Sequence, residues 1–175
     1  MPMDDCLALI MDEVDLLVAE LKELHASRLH FRIYHRFHKP GTVCAPGEEI
    51  FAACLVHRGR EFYLRLSLAL RILFDYLARH SHLPQSAAQI EAGIRGDRYY
   101  VQHASNVLGS SKLIRSIPRS YVRVYIERLR TAIDQVLNQA GLLIDSRAVL
   151  LTEATVMNET GYRLRVVLEL VHIEI

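Results

Sequence analysis

The chain has 175 residues, 51% of them hydrophobic and 23% charged, with a formal net charge of +1. That apolar fraction excludes a disordered chain, and no apolar run approaches the roughly 18 residues of a membrane span. The acidic N-terminus MPMDDCLALIMDEVD lacks the basic region of a secretory signal, and Cys6, Cys44 and Cys54 form no C-x-x-C pair, so a reduced, cytoplasmic protein is expected.

The first element reads as a helix from about Asp4 to Ala26. Leu7, Ile10, Val14, Leu17, Leu21 and Leu24 are spaced 3, 4, 3, 4, 3, an a/d heptad seam that Met11 and Val18 widen. Two uses fit such a seam: it pairs two copies into a homodimer, which is the arrangement expected here, or it packs on its own domain. The period then changes to two. Leu29, Phe31, Ile33, His35 and Phe37 alternate with His30, Arg32, Tyr34 and Arg36, a half-buried strand. After a loop marked by Pro40, Gly41, Pro46 and Gly47, Glu49–His57 and Glu61–Leu66 read as two further strands joined by an Arg58-Gly59 turn. A small antiparallel sheet follows.

Ser67 stands where an N-cap belongs, ahead of a helix over Leu68–His80. Ser86 caps a shorter one through about Ile94, which Gly93 and Gly96 close. Residues 97–115 show no period and contain Gly109-Ser110-Ser111, so they read as a long, mobile loop. Ser116-Ile117-Pro118 opens the next helix, with Val122, Tyr125, Ile126, Leu129, Ile133, Val136 and Leu137 at helical spacing up to Ala140 and Gly141 as its stop. Arg147–Val156 and Tyr162–Ile173 read as the strands of a final hairpin, turning at Asn158-Glu159-Thr160-Gly161. The division is therefore an amphipathic helix over 1–28 and an α+β domain over 29–175.

The near-zero net charge conceals a segregation. Residues 1–24 hold seven acids and one base, residues 25–130 seventeen bases and seven acids, and residues 131–175 three bases and six acids. A basic middle holds a polyanion even in a neutral protein, because local potential matters more than the total. The plainer alternative is a set of solvated arginines spread over several faces. On the helix after Pro118, Val122, Ile126, Leu129 and Ile133 fall within about 60° of one another, and Arg119, Arg123 and Arg130 line up beside them. Arginines along such an edge suit contacts to phosphate and to guanine N7 and O6.

No catalytic set stands out. Ser110 and Ser111 near His103 lack a Gly-x-Ser-x-Gly elbow, and no phosphate-cradling glycine loop occurs, so neither an enzyme nor a cofactor is expected. His35-x-x-His38 and His80-x-His82 with Cys44 and Cys54 are poor metal ligands, since His35 and His38 fall on opposite faces of a strand.

Three helices followed by a β-hairpin make a winged helix-turn-helix, and the sheet ahead of them resembles one family in particular. The segment Val56–His80, VRVYIERLRTAI over Val122–Ile133, and TGYRL over Thr160–Leu164 resemble, in order, the strand-to-helix junction, third helix and wing of the effector domain of OmpR/PhoB-type response regulators. The likeness covers roughly residues 30–165, with a longer connection from Arg95 to Ile117 and without a receiver domain. It implies a sequence-specific transcriptional regulator that binds double-stranded DNA. Arg115, Arg119, Ser120, Arg123 and Arg130 would lie in or beside the groove, with Asn158, Thr160 and Arg163 on the flanking backbone. The alternative is an interaction module in which the same fold binds a regulatory protein partner and no DNA.

Overall fold

The computed structural model describes residues 3–37, 52–96 and 119–174. Helix α1 (Met3–Ser27) leads into β1 (His30–Phe37), β2 (Ala52–His57) and β3 (Arg60–Tyr63). Then come α2 (Leu68–Arg79), the two-residue strand β4 (Gln85–Ser86) and α3 (Ala87–Gly96). A single 3-10 turn (Arg119–Tyr121) opens α4 (Val122–Gln139), followed by the short α5 (Ser146–Val149), β5 (Leu150–Ala154), β6 (Thr160–Leu164) and β7 (Val167–Glu174). The architecture is α+β with two sheets, ordered β3-β2-β1-β7 and β4-β6-β5. The loop expected over 97–115 and the helix opening at Ser116-Ile117-Pro118 lie outside the described residues.

Local chemistry accounts for most boundaries. Arg58 (φ 51°) and Gly59 (φ 72°) are both left-handed, as a two-residue hairpin between β2 and β3 requires. Ser67 Oγ accepts from Leu70 N–H and caps α2. At α3, Ser86 Oγ accepts from Gln89 N–H while Gln89 Oε1 accepts from Ser86 N–H, a reciprocal capping box. Gly141 ends α4 with φ 72°. Gly93 does not close α3 as expected but lies inside it: a Cβ there would stand 2.3 Å from Tyr76 Cε2. Its missing side chain is what admits the buried Tyr76 ring, whose hydroxyl donates to Gln85 Oε1 at 2.8 Å.

Phe31 and Ile33 of β1 and Ala53 and Leu55 of β2 face inward, as their alternation demands. Phe31 meets Phe74 of α2 at 6.0 Å between ring centroids, and each such side chain contributes roughly 1.5–3 kcal/mol on burial. His35, also inward, has its Nε2 2.9 Å from Asp75 Oδ1, and Arg79 Nη2 donates to Asp75 Oδ2 at 2.6 Å. The core continues through α4, α5 and the second sheet.

The tail departs from the sequence reading. Tyr162–Ile173 is not one strand but parts of two, divided at Arg165-Val166. Arg165 N–H donates to Val149 O at 2.9 Å, whereas Val167 N–H donates to Leu29 O at 2.8 Å, so the chain changes sheets within two residues. β7 then runs parallel to β1, which makes the first sheet mixed rather than antiparallel throughout. The hairpin itself is β5–β6, turning over Thr155–Glu159, and β5 begins at Leu150 because Ser146–Val149 forms α5.

Candidate nucleic-acid interface

α4 presents two faces. Val122, Ile126, Leu129, Ala132, Ile133, Val136 and Leu137 are buried, with α2, α3, α5 and β3 as the helix's neighbours, while Arg123, Val124, Glu127, Arg128 and Thr131 are exposed. Glu91 of α3 anchors the start of this helix. Its Oε2 accepts the Arg119 backbone N–H at 3.0 Å and stands 3.7 Å from Arg119 Nε, while Oε1 pairs with Arg95 at 3.0 Å. The N-cap residue Tyr121 supplies no side-chain hydrogen bond, so the positive end of the helix dipole is not offset there by a capping side chain.

The predicted contact residues divide into three groups. Arg119, Ser120 and Arg123 are exposed together at the N-terminal end of α4, and Arg123 makes no ion pair among the described residues. Arg128 is exposed as well and lies over the Tyr125 ring at 5.6 Å. Arg115 lies outside the described residues. Arg130 is a correction: it is 6% exposed and contacts protein, not solvent. Its Nε and Nη2 donate to Leu150 O at 3.1 and 2.7 Å, Nη2 also to Thr152 Oγ1 at 2.8 Å, and Nη1 to Glu127 Oε1 at 2.8 Å. Arg130 therefore ties α4 to the first strand of the hairpin and has no free face for a groove.

The hairpin is also unlike the expected backbone clamp. Asn158 (φ 56°) and Thr160 are exposed at its tip, but Arg163 is committed to Glu153: Nη2 donates to Oε1 at 2.9 Å, and Nε sits 2.8 Å from Oε2 without hydrogen-bond alignment. The residues that project furthest are Val156, 90% exposed, and Met157, 81% exposed, flanked by Glu159. They border a groove of about 270 Å³ with Leu83, Pro84 and Gln89. Sequence reasoning passed over this tip because two apolar residues beside a turn carry no periodic signal.

The outer face of the first sheet holds a further polar cluster. Glu61 accepts from the hydroxyls of Tyr34 and Tyr63 and from Arg32 Nη1, each at 2.5 Å, and Arg32 Nε donates to Glu169 at 2.9 Å. The two tyrosine hydroxyls, then Arg32, hold Glu61 below the usual carboxylate range, and the bond to Glu61 pushes Tyr63 up to about 12. Arg32 likewise lowers Glu169. Burial raises the Cys54 thiol to about 11, so it stays protonated and poorly nucleophilic. These residues satisfy one another; their alternation along β1 and β3 was legible, their convergence was not.

All six seam residues of α1 are exposed, between 48% and 63%, so the helix does not pack its seam on its own domain. Among the described residues no helix is long and apolar enough to cross a membrane. The chain shows no significant match to any protein-family model, curated protein or solved structure.

Proposed function

We propose that the chain is a winged-helix module that binds double-stranded DNA through the N-terminal half of α4, as a transcriptional regulator would. One observation carries the reading: Arg119, Arg123 and Arg128 are exposed along α4, with the exposed Arg95 and Arg147 at its two ends, beside the acids Glu91, Glu127, Asp134 and Asp145 among the described residues. Such a surface attracts phosphate, and among the described residues α4 follows α2, β4 and α3 and precedes the short α5 and the β5–β6 hairpin, an order similar to that of a winged helix, whose third helix enters the major groove. The contact set is Arg119, Ser120, Arg123 and Arg128, with Arg115 as a sequence-level addition. Arg130 is not part of it, and Asn158 and Thr160 are left as the only wing contacts. A second reading, protein binding through the hairpin, is favoured by the exposed Val156 and Met157.

The test is a fluorescence-anisotropy titration of a random-sequence duplex at several salt concentrations. Each neutralised phosphate contributes a slope of about −0.9 in log K against log salt, so Arg123→Ala should flatten the slope by about one unit. Met157→Ser should leave DNA affinity unchanged. Wild-type affinity no tighter than millimolar at low salt would reject the DNA reading in favour of the wing.

A further inference from the structure

The DNA reading leaves the apolar face of α1 unused. Its C-terminal end is seated on the domain: Ala26 and Leu29 are buried, and the helix touches the Ser146–Val149 segment. Every described side chain from Met3 to His25 is exposed. With Leu7 at heptad position a, the seam occupies a and d, and Met11 and Val18 extend it at e. An apolar stripe of that length matches one side of a standard interface, roughly 800 Å², and is well beyond the scattered apolar residues normal on a monomer. Among the described residues nothing covers it, since each seam side chain is about half exposed or more.

The flanking charges choose the occupant. Glu13 and Glu20 fall at g positions beside the seam, and residues 1–24 hold seven acids against Lys22 alone. Asp12, Glu13, Asp15 and Glu20 have no ion-pair partner among the described residues. Pairing with a second copy would bring two strongly acidic helices together, and an antiparallel pair would set Glu13 opposite the other copy's Glu20. Like charges at such positions select against an antiparallel pair, and in a parallel pair Glu13 meets Val18 and Glu20 meets His25, so no lysine or arginine offsets these acids in either arrangement. The same charge repels anionic lipid and nucleic acid.

We propose that α1 docks the amphipathic helix of a different protein, apolar along one stripe and basic along its flanks, with cations opposite Glu13 and Glu20. The probes are two designed helical peptides with identical Leu/Ile seams, one with lysine and one with glutamate at every e and g position. The whole chain should sediment as a monomer at micromolar concentration and bind the lysine-flanked peptide at least tenfold more tightly than the glutamate-flanked one at low salt. Adding salt should shrink that preference. Glu13→Lys with Glu20→Lys keeps the seam and should reverse the preference, which a merely sticky helix would not do. Leu17→Asp should abolish binding of both peptides. A micromolar dimer that Leu17→Asp dissociates would overturn the proposal and make the second copy the occupant. Equal binding of the two peptides, or binding of neither at 100 micromolar (a probe range set by the roughly 5 kcal/mol of weak complexes), would also overturn it. None of these outcomes bears on DNA binding at α4, so the two readings fail separately.

Discussion

Arg130 brings a permanent charge into the interior and directs its donors at the strand that opens the hairpin. Replacing it with Ala removes three contacts to Leu150 O and Thr152 Oγ1 and the pair with Glu127. A hydrogen bond from a charged donor contributes roughly 1.5–3 kcal/mol, and an acceptor left buried without a partner costs about 1–3 kcal/mol. The contacts share one guanidinium, so they do not add in full; with the void left by the side chain, the loss is on the order of 3–5 kcal/mol. Glu127 is about half exposed and regains water, so its release adds little. Arg130→Met keeps much of the volume and should cost about 2–3 kcal/mol. Urea unfolding followed by circular dichroism measures both, and the midpoint should fall without a change in slope. Where the Met variant stays folded, its DNA salt slope should equal that of wild type. An Ala variant within about 1 kcal/mol of wild type, with a slope flattened by one unit, would show that Arg130 faces phosphate and that the burial argument is wrong.

Three further outcomes are expected. Gly93→Ala forces a methyl group into the Tyr76 ring and should destabilise by about 1–3 kcal/mol, read as a lowered Tm; an unchanged Tm would mean that α3 shifts freely. Glu61 and Glu169 are held below their ordinary values, so the stability they contribute is present above about pH 4.5 and lost as pH falls through their folded values. Glu61→Gln should therefore flatten the urea midpoint against pH between about 5 and 3, and an unaltered profile would remove Glu61 from the linkage. Ending the chain at Arg165 deletes β7 while leaving the hairpin whole, and it should lower stability by on the order of 2–4 kcal/mol through loss of the β1 ladder and the packing of Leu168. A truncated chain as stable as the whole one would mean that β7 adds nothing to the first sheet.

The sequence by itself determined what depends on neighbours along the chain. A heptad period marked α1, period 3.6 marked α2 and α4, period 2 marked the inward set Phe31, Ile33 and His35, and Ser67, Ser86, Arg58-Gly59 and Gly141 supplied caps and turns where they were expected. The seam of α1 was legible in full, since an a/d pattern needs only residue spacing; its exposure was not, because spacing does not say what a helix lies against. The candidate interface was half legible. Arg123 and Arg130 differ by only about 20° around α4, so helical geometry alone gives them one fate. The tertiary structure separates them, because β5 runs past Arg130 and offers Leu150 O, while among the described residues Arg123 is exposed. The same holds for the tail: Leu164, Val166, Leu168 and Leu170 keep one alternation across the division at Arg165-Val166, and only the competing carbonyls of Val149 and Leu29 send Arg165 to one sheet and Val167 to the other. Periodicity is a property of adjacent residues. Which polar group meets which acceptor is decided by elements far apart in the chain, and that is where the hairpin, the mixed sheet and the burial of Arg130 came from.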